Sequence, residues 1–307
     1  MKTTPRSLLS AVVLTLSATA AFTVPLAAQQ QPRINVAGED LLWTAIPGTW
    51  VNSSGTVLSS ATTVYGSLNR FFIANNSNVI FGSTGEIVSV EHLKIGALGS
   101  AGSSPSSLYA PITNPNGRLT IIGGSLTVTT STFNIGDANP YAPAGWTDPI
   151  KGELYLQGGA LAAGAVYVGA RRGDATHGGR TEGYYEQTGG SLAVTNSFYV
   201  GAASNSDNTE NVNGLARITG GTTTVNSIII VGALQKTDPW TPEQLAGRGF
   251  GRLEIGPAAS ITSNNFEARH NSEIVFELGN TAAFNPVSVG TATAPCCRST
   301  PNSPRSR

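Results

Sequence analysis

The sequence predicts an all-β fold: a parallel β-helix, or solenoid, of stacked coils with loop insertions along one edge. Three observations predict it. A frame of apolar residues and glycines recurs with a period just over thirty residues. Within each copy, apolar and polar residues alternate over short runs, the pattern of strands with one buried face. Glycines divide each copy into about three such runs.

The clearest copy is Gly183–Ala203, GYYEQTGGSLAVTNSFYVGAA. The frame returns in Gly117–Gly136, Gly152–Gly169 and Gly214–Gly232, and more weakly from Gly251. Double glycines fall at Gly123-Gly124, Gly158-Gly159, Gly189-Gly190 and Gly220-Gly221, where tight corners are expected. Equivalent inward residues should stack in ladders. One is Leu119, Leu154, Tyr185, Ala216 and Leu253, and another is Phe133, Val166, Phe198 and Ile229. A sandwich of β-hairpins is the competing fold, but hairpin strands have no need to repeat in sequence.

In chain order, residues 1–28 read as a secretory signal peptide. Lys2 and Arg6 give a positive start, Leu8–Leu16 an apolar core, and small residues run to Ala28. No other stretch is long and apolar enough for a membrane-spanning helix. Residues 29–69 form an N-terminal cap, in which Trp43 and Trp50 shield the first coil. The helix proper spans residues 70–293. Asn75, Asn76 and Asn78 sit between its first strands, where Asn tolerates a left-handed backbone.

Variable segments run from Ala97 to Asn116, Asp137 to Lys151, Ala170 to Glu182, Ala202 to Asn213 and Ala233 to Gly249. Each follows a closing glycine and ends at an opening one, so all should leave the helix along one edge. Such edges often bind partners. After Thr293 the composition changes abruptly to Pro- and Arg-rich, and residues 294–307 are expected to be a disordered tail. The two cysteines, Cys296 and Cys297, are adjacent there and cannot staple the body.

Repeats of the form G-x-L-x-I-x-G-G-x-L-x-V…F-x-V-G resemble the exported bacterial β-helix proteins with autotransporter-passenger-associated strand repeats. NVIFGSTGEIVSVEHLKIG, Asn78–Gly96, is similar to their first coil, and EIVFELGNTAAFNPVSVG, Glu273–Gly290, to their late ones. The resemblance covers roughly Trp43 to Thr293. It implies a right-handed β-helix, export, and a structural or adhesive role at the cell surface or outside it. The outer-membrane barrel or sorting signal that ends many such proteins has no counterpart here. The tail reads as a truncated or frame-shifted C-terminus.

Charge is balanced, with 18 basic and 18 acidic residues and no basic stripe, which argues against a nucleic-acid partner. No catalytic or metal-binding set is expected, and no cofactor. A polysaccharide lyase or glycoside hydrolase, the alternative function, needs grouped carboxylates with a basic residue. Here Asp137, Asp148, Asp174, Asp207 and Asp238 are scattered singly in insertions. Glu153, Glu186 and Glu254 read as a solvated face. His92, His177 and His270 lack metal spacing. The oxygen-rich run Ser204–Gly214 lacks the closing Glu of a helix-flanked calcium loop, and Arg172-Gly173-Asp174 is a chance-level tripeptide.

The sharper candidates are aromatics in the insertions: Tyr141 and Trp146 in one, Trp240 in another and Tyr109 in a third. The first two of these insertions are three coils apart, ~14 Å along the stack. Aromatic faces beside Asp and Asn suit a polysaccharide, whose rings have apolar faces and hydroxyl edges. The expected function is therefore non-enzymatic: a secreted structural or adhesive solenoid with Tyr141, Trp146 and Trp240 as ligand-binding residues.

Overall fold

The computed structural model describes residues 31–293, except 36–37, 39–40, 45–47, 53–55, 59–68, 83–84, 99–111, 113, 131, 139–148, 173–180, 205–211, 233–248, 270 and 278–287. Residues 1–28, expected to be a signal peptide, and residues 294–307, expected to be a tail, lie outside these residues. Every regular element among them is a β-strand.

The leading strands are β1 (Gln31–Asn35), β2 (Leu41–Leu42) and β3 (Trp50–Val51). They are followed by β4 (Asn69–Ile73), β5 (Ser77–Phe81), β6 (Ile87–Val90) and β7 (His92–Leu98). The first full sequence repeat holds β8 (Gly117–Ile121), β9 (Ser125–Val128) and β10 (Phe133–Ala138). The second holds β11 (Ile150–Leu156), β12 (Ala160–Ala163) and β13 (Val166–Arg172). The third holds β14 (Thr181–Gln187), β15 (Ser191–Val194) and β16 (Ser197–Ser204). Then come β17 (Val212–Ile218), the long β18 (Thr222–Val231), β19 (Phe250–Ile255), β20 (Ser260–Ala268), β21 (Ser272–Phe276) and β22 (Ser288–Thr293).

Opening strands form one eight-stranded sheet in the order β2-β5-β8-β11-β14-β17-β19-β21. The other strands form a fourteen-stranded sheet with two arms, β4-β7-β10-β13-β16 and β6-β9-β12-β15, which meet at β18. Among the named strands, only β1 and β3 pair antiparallel. The architecture is thus all-β with long parallel sheets, compatible with a solenoid. Parallel pairing between equivalent strands of successive repeats removes the hairpin sandwich.

Both predicted ladders stand in register. Leu119, Leu154, Tyr185, Ala216 and Leu253 are direct partners on neighbouring strands and are buried. So are Phe133, Val166, Phe198 and Ile229. Each large apolar side chain buried this way contributes roughly 1.5–3 kcal/mol. Tyr185 brings a hydroxyl into this interior, where it donates to Gln187 Oε1 at 2.8 Å. Thr223 Oγ1 donates to the same oxygen at 2.6 Å, so the polar cluster is internally satisfied.

Trp43 and Trp50 close the N-terminal side. Their rings are 4.8 Å apart, Trp43 stacks on Phe71 at 4.8 Å, and the Trp50 indole N–H donates to the Trp43 carbonyl at 2.9 Å. Both are fully buried packing residues. Asn75 and Asn76 take the expected left-handed backbone, at φ 60° and 53°. Asn78 instead lies on β5.

The double glycines turn as expected, Gly190 having φ 63°. The single glycines do something else. Gly201 was expected to end a strand, yet β16 runs through it to Ser204. Strands β10 and β13 likewise continue past Gly136 and Gly169. These closing glycines face the opening glycines of the eight-stranded sheet. A Cβ on Gly183 would overlap the Gly169 and Ile135 backbones, and one on Gly201 the Phe250 and Gly251 backbones. The glycines are a crossing of two sheets at backbone contact. The first four insertions are therefore shorter than their variable sequence, because their stems are strand.

Candidate functional site

The crossing fixes what lies outside it. In β8, β11, β14, β17 and β19 the glycine faces inward, so the residues on either side of it face outward (burial alternates along each strand). One outward column comes just before the glycines and holds Lys151, Glu182, Asn213 and Phe250, in register. The next comes just after them and holds Arg118, Glu153, Tyr184, Leu215 and Arg252. A third holds Thr120, Tyr155, Glu186, Arg217 and Glu254.

Opposite charges meet along these columns. The Arg118 guanidinium donates to Glu153 Oε2 at 2.6 Å, and Lys151 Nζ lies 3.2 Å from Glu182 Oε2. Arg252 reaches Glu254 at 2.7 Å and Glu273 at 3.0 Å. Arg217 lies 3.8 Å from Glu186, 3.4 Å from Glu254 and 3.5 Å from Glu277. Exposed pairs of this kind add ~0–1 kcal/mol each to stability. Their larger effect is to cancel charge along the face.

Two tyrosines stand among them. Tyr155 and Tyr184 have ring centroids 5.5 Å apart, and the Arg118 guanidinium sits 5.2 Å above the Tyr155 ring. The Tyr184 hydroxyl donates to Glu186 at 2.9 Å. Burial, that hydrogen bond and the Glu186 charge hold its pKa well above the ordinary tyrosine range. Burial and the Glu153 charge raise that of Tyr155 as well. Both hydroxyls therefore remain protonated donors at neutral pH.

Between the first two columns runs a trough. Its main cavity, about 390 Å³, is bounded by Lys151, Glu153, Glu182, Tyr184, Leu215 and Phe250. A smaller one of about 160 Å³, lined by Asn76, Asn78, Asn116 and Arg118, continues it and shares Lys151 and Glu153. From β5 to β19 the trough crosses six strands, ~24 Å at ~4.8 Å per step.

A second polar cluster lies on the fourteen-stranded sheet. Asp137, expected in an insertion, is instead a buried residue of β10. Its Oδ2 accepts from Lys94 Nζ and from Asn134 Nδ2, both at 2.6 Å. Its carboxylate neutralises a lysine that would otherwise be buried alone. Nearby, Thr130 Oγ1 lies 3.1 Å from His92 Nδ1, and Glu91 Oε1 lies 3.7 Å from Nε2.

Burial first, then the charges of Arg70 and Lys94, lower the His92 pKa to about 4. Unfolded, the ring takes up a proton near pH 6.5, and folded not until about pH 4. The unfolded chain binds more protons across that window, so stability falls as pH drops through it. The full shift corresponds to about 3 kcal/mol, and solvent screening of this partly buried ring reduces the loss to about 1–2 kcal/mol. His92→Gln has no such proton to gain. In urea titrations, the stability of the native protein relative to that variant should decline by this amount between about pH 7 and pH 4. Parallel stability curves would refute the role given to His92.

Tyr141, Trp146 and Trp240, as well as Tyr109, lie outside the described residues, as do Asp148, Asp174, Asp207 and Asp238. His177 and His270 do too. Among the described residues no His, Cys, Asp or Glu group is placed to hold a metal ion, and no helix is long and apolar enough to cross a membrane. Of the trough residues, the sequence reading placed Glu153 on a solvated face and passed over Tyr184 and Arg252, although the signal is simple: each of the three follows an opening glycine. No family model matches the chain, and no curated protein or solved structure matches it.

Proposed function

We propose that this chain is an exported, non-enzymatic β-solenoid with a structural or adhesive role outside a bacterial cell, holding polysaccharide along the edge where its insertions leave the body. The fold would be a right-handed parallel β-helix with about three short strands per coil. The strong preference of parallel crossovers for the right hand supports that handedness. The positive, apolar and small-residue order of residues 1–28 supports export.

One observation carries the binding reading. The residues at which successive insertions rejoin the sheet, Lys151, Glu182, Asn213 and Phe250, stand in one register column beside Tyr184. The strands to which the insertions bearing Tyr141, Trp146 and Trp240 return therefore begin along one line. The second reading, a polysaccharide-active enzyme, is favoured by the carboxylates and guanidinium groups that share this face. Against it, Glu153, Glu186 and Glu254 each lie within 4 Å of an arginine. Such ion pairs engage the carboxylate oxygens that an acid–base pair would turn toward a scissile glycosidic bond.

The test is a glycan array probed with purified protein from Gln29 onward, with reducing-sugar release assayed on every hit. Binding without release is the expected result. A silent array would remove the polysaccharide reading, and release would make the protein an enzyme. Replacing Trp146 and Trp240 together with Ala is expected to weaken binding about tenfold. Unchanged binding in that variant would take the two tryptophans out of the site.

A further inference from the structure

We infer that the trough on the eight-stranded sheet is itself a glycan-binding surface, and that it takes an extended, uncharged polysaccharide chain lying across the strands. The inference rests on the polysaccharide reading above and narrows it to a place, a direction and a ligand class.

Shape is the first argument. Contact of the opening glycines with the closing strands draws the sheet inward along one line. The side chains before and after each glycine stand on either side of that line, two residues apart or ~6.6 Å. A sugar ring would therefore rest over the line, against the side chains that flank it. The line runs perpendicular to the strands, with a step of ~4.8 Å. This is close to the length of one sugar in an extended chain, so successive sugars meet successive strands. The main cavity, about 390 Å³, falls in the usual range for ligand sites.

Chemistry is the second. Tyr184, Leu215 and Phe250 supply apolar surface within the trough, and Phe250 is 40% exposed. Stacking of this kind favours the axial-hydrogen face of a sugar. Donors and acceptors alternate around it: the Lys151 ammonium, the Glu182 carboxylate and the Arg252 guanidinium. Sugar hydroxyls both donate and accept, so they match such a mixed wall. Because the wall is ion-paired, it has little net field to attract a polyanion or a polycation. A neutral polyhydroxyl chain is the ligand class that suits all of these features.

The test is calorimetric titration of the purified protein with neutral β-1,4-linked gluco- and manno-oligosaccharides, from disaccharide to hexasaccharide. Oligogalacturonate of equal length serves as the charged comparison. Affinity should rise with length until the trough is filled, at about five sugars for ~24 Å. The neutral oligomers should outbind the charged one. Tyr184→Ala and Phe250→Ala should each weaken hexasaccharide binding roughly threefold to tenfold, whereas Tyr184→Phe, which keeps the ring, should not. Thermal melts of each variant separate a binding loss from a folding loss. Length-independent affinity, preference for oligogalacturonate, or undiminished binding in both alanine variants would overturn the inference. If the glycan array is positive in those cases, the broader polysaccharide reading survives without the trough. A silent array removes both.

Discussion

Gly183→Ala is expected to cost about 3 kcal/mol or more of stability, although it adds one methyl group. The added carbon would overlap the backbone of Gly169 on one strand and of Ile135 on another. Neither obstacle is a side chain that can swing away. Both strands are themselves hydrogen-bonded into the fourteen-stranded sheet, between β7 and β16. Relief therefore requires the two sheets to separate locally, which exposes the ladders beside Tyr185. Gly85→Ala is the control. Nothing lies within 4 Å of a Cβ there, and the backbone has φ +75°. Its cost is the left-handed backbone penalty alone, ~1–2 kcal/mol. Urea midpoints for the two variants should differ clearly. Equal values would mean that the sheets do not meet as tightly as the glycines indicate.

Asp137→Ala is the second large effect, about 3–5 kcal/mol. The Lys94 and Asp137 side chains are only 6% and 5% exposed, so removing the carboxylate leaves an ammonium buried without its counter-charge. The aspartate also holds Asn134 Nδ2, and that donor loses its partner too. The pair Lys94→Met with Asp137→Leu removes both charges at similar volume. It should recover most of the loss, since a buried ion pair gains little net stability over well-packed apolar residues. The same urea titrations decide the matter. If the double variant is as unstable as Asp137→Ala, the damage comes from packing or from the orphaned Asn134 donor, and not from the unpaired charge.

These two sites also mark where the sequence could be read and where it could not. The ladder through Leu119 and Leu253 was legible because strand alternation has a fixed period, and one buried face forces apolar residues into it. The glycines were legible as landmarks but not in their roles. Gly190 turns a corner and Gly183 lets two backbones touch, and both demands select the same residue. The strand stems beyond Gly136 and Gly201 were missed for a related reason. Backbone pairing such as Asp137 with Ala97 and Ala170 needs no apolar pattern to announce it. The partnership of Lys94 with Asp137 spans an insertion of irregular length, so no spacing reveals it. In the candidate site, nothing in their own repeats singles out Tyr184 or Phe250, because a trough depends on neighbours contributed by other repeats.

The glycine crossing also gives the molecule a direction of growth. Each opening strand seats against closing strands laid down earlier in the chain. Gly183 meets Ile135 and Gly169, Gly214 meets Val168 and Gly201, and Gly251 meets Val200 and Gly232. A chain assembling from its N-terminus always finds this berth already built. A chain assembling from the other end would pair each opening strand with a later one before the closing strands beneath it exist. From Gly152 onward each berth also spans two earlier closing strands, so each addition clamps the one before it, as a ratchet does. Removing one repeat from the middle would thus disturb neighbours on both sides of the join, and not a single interface.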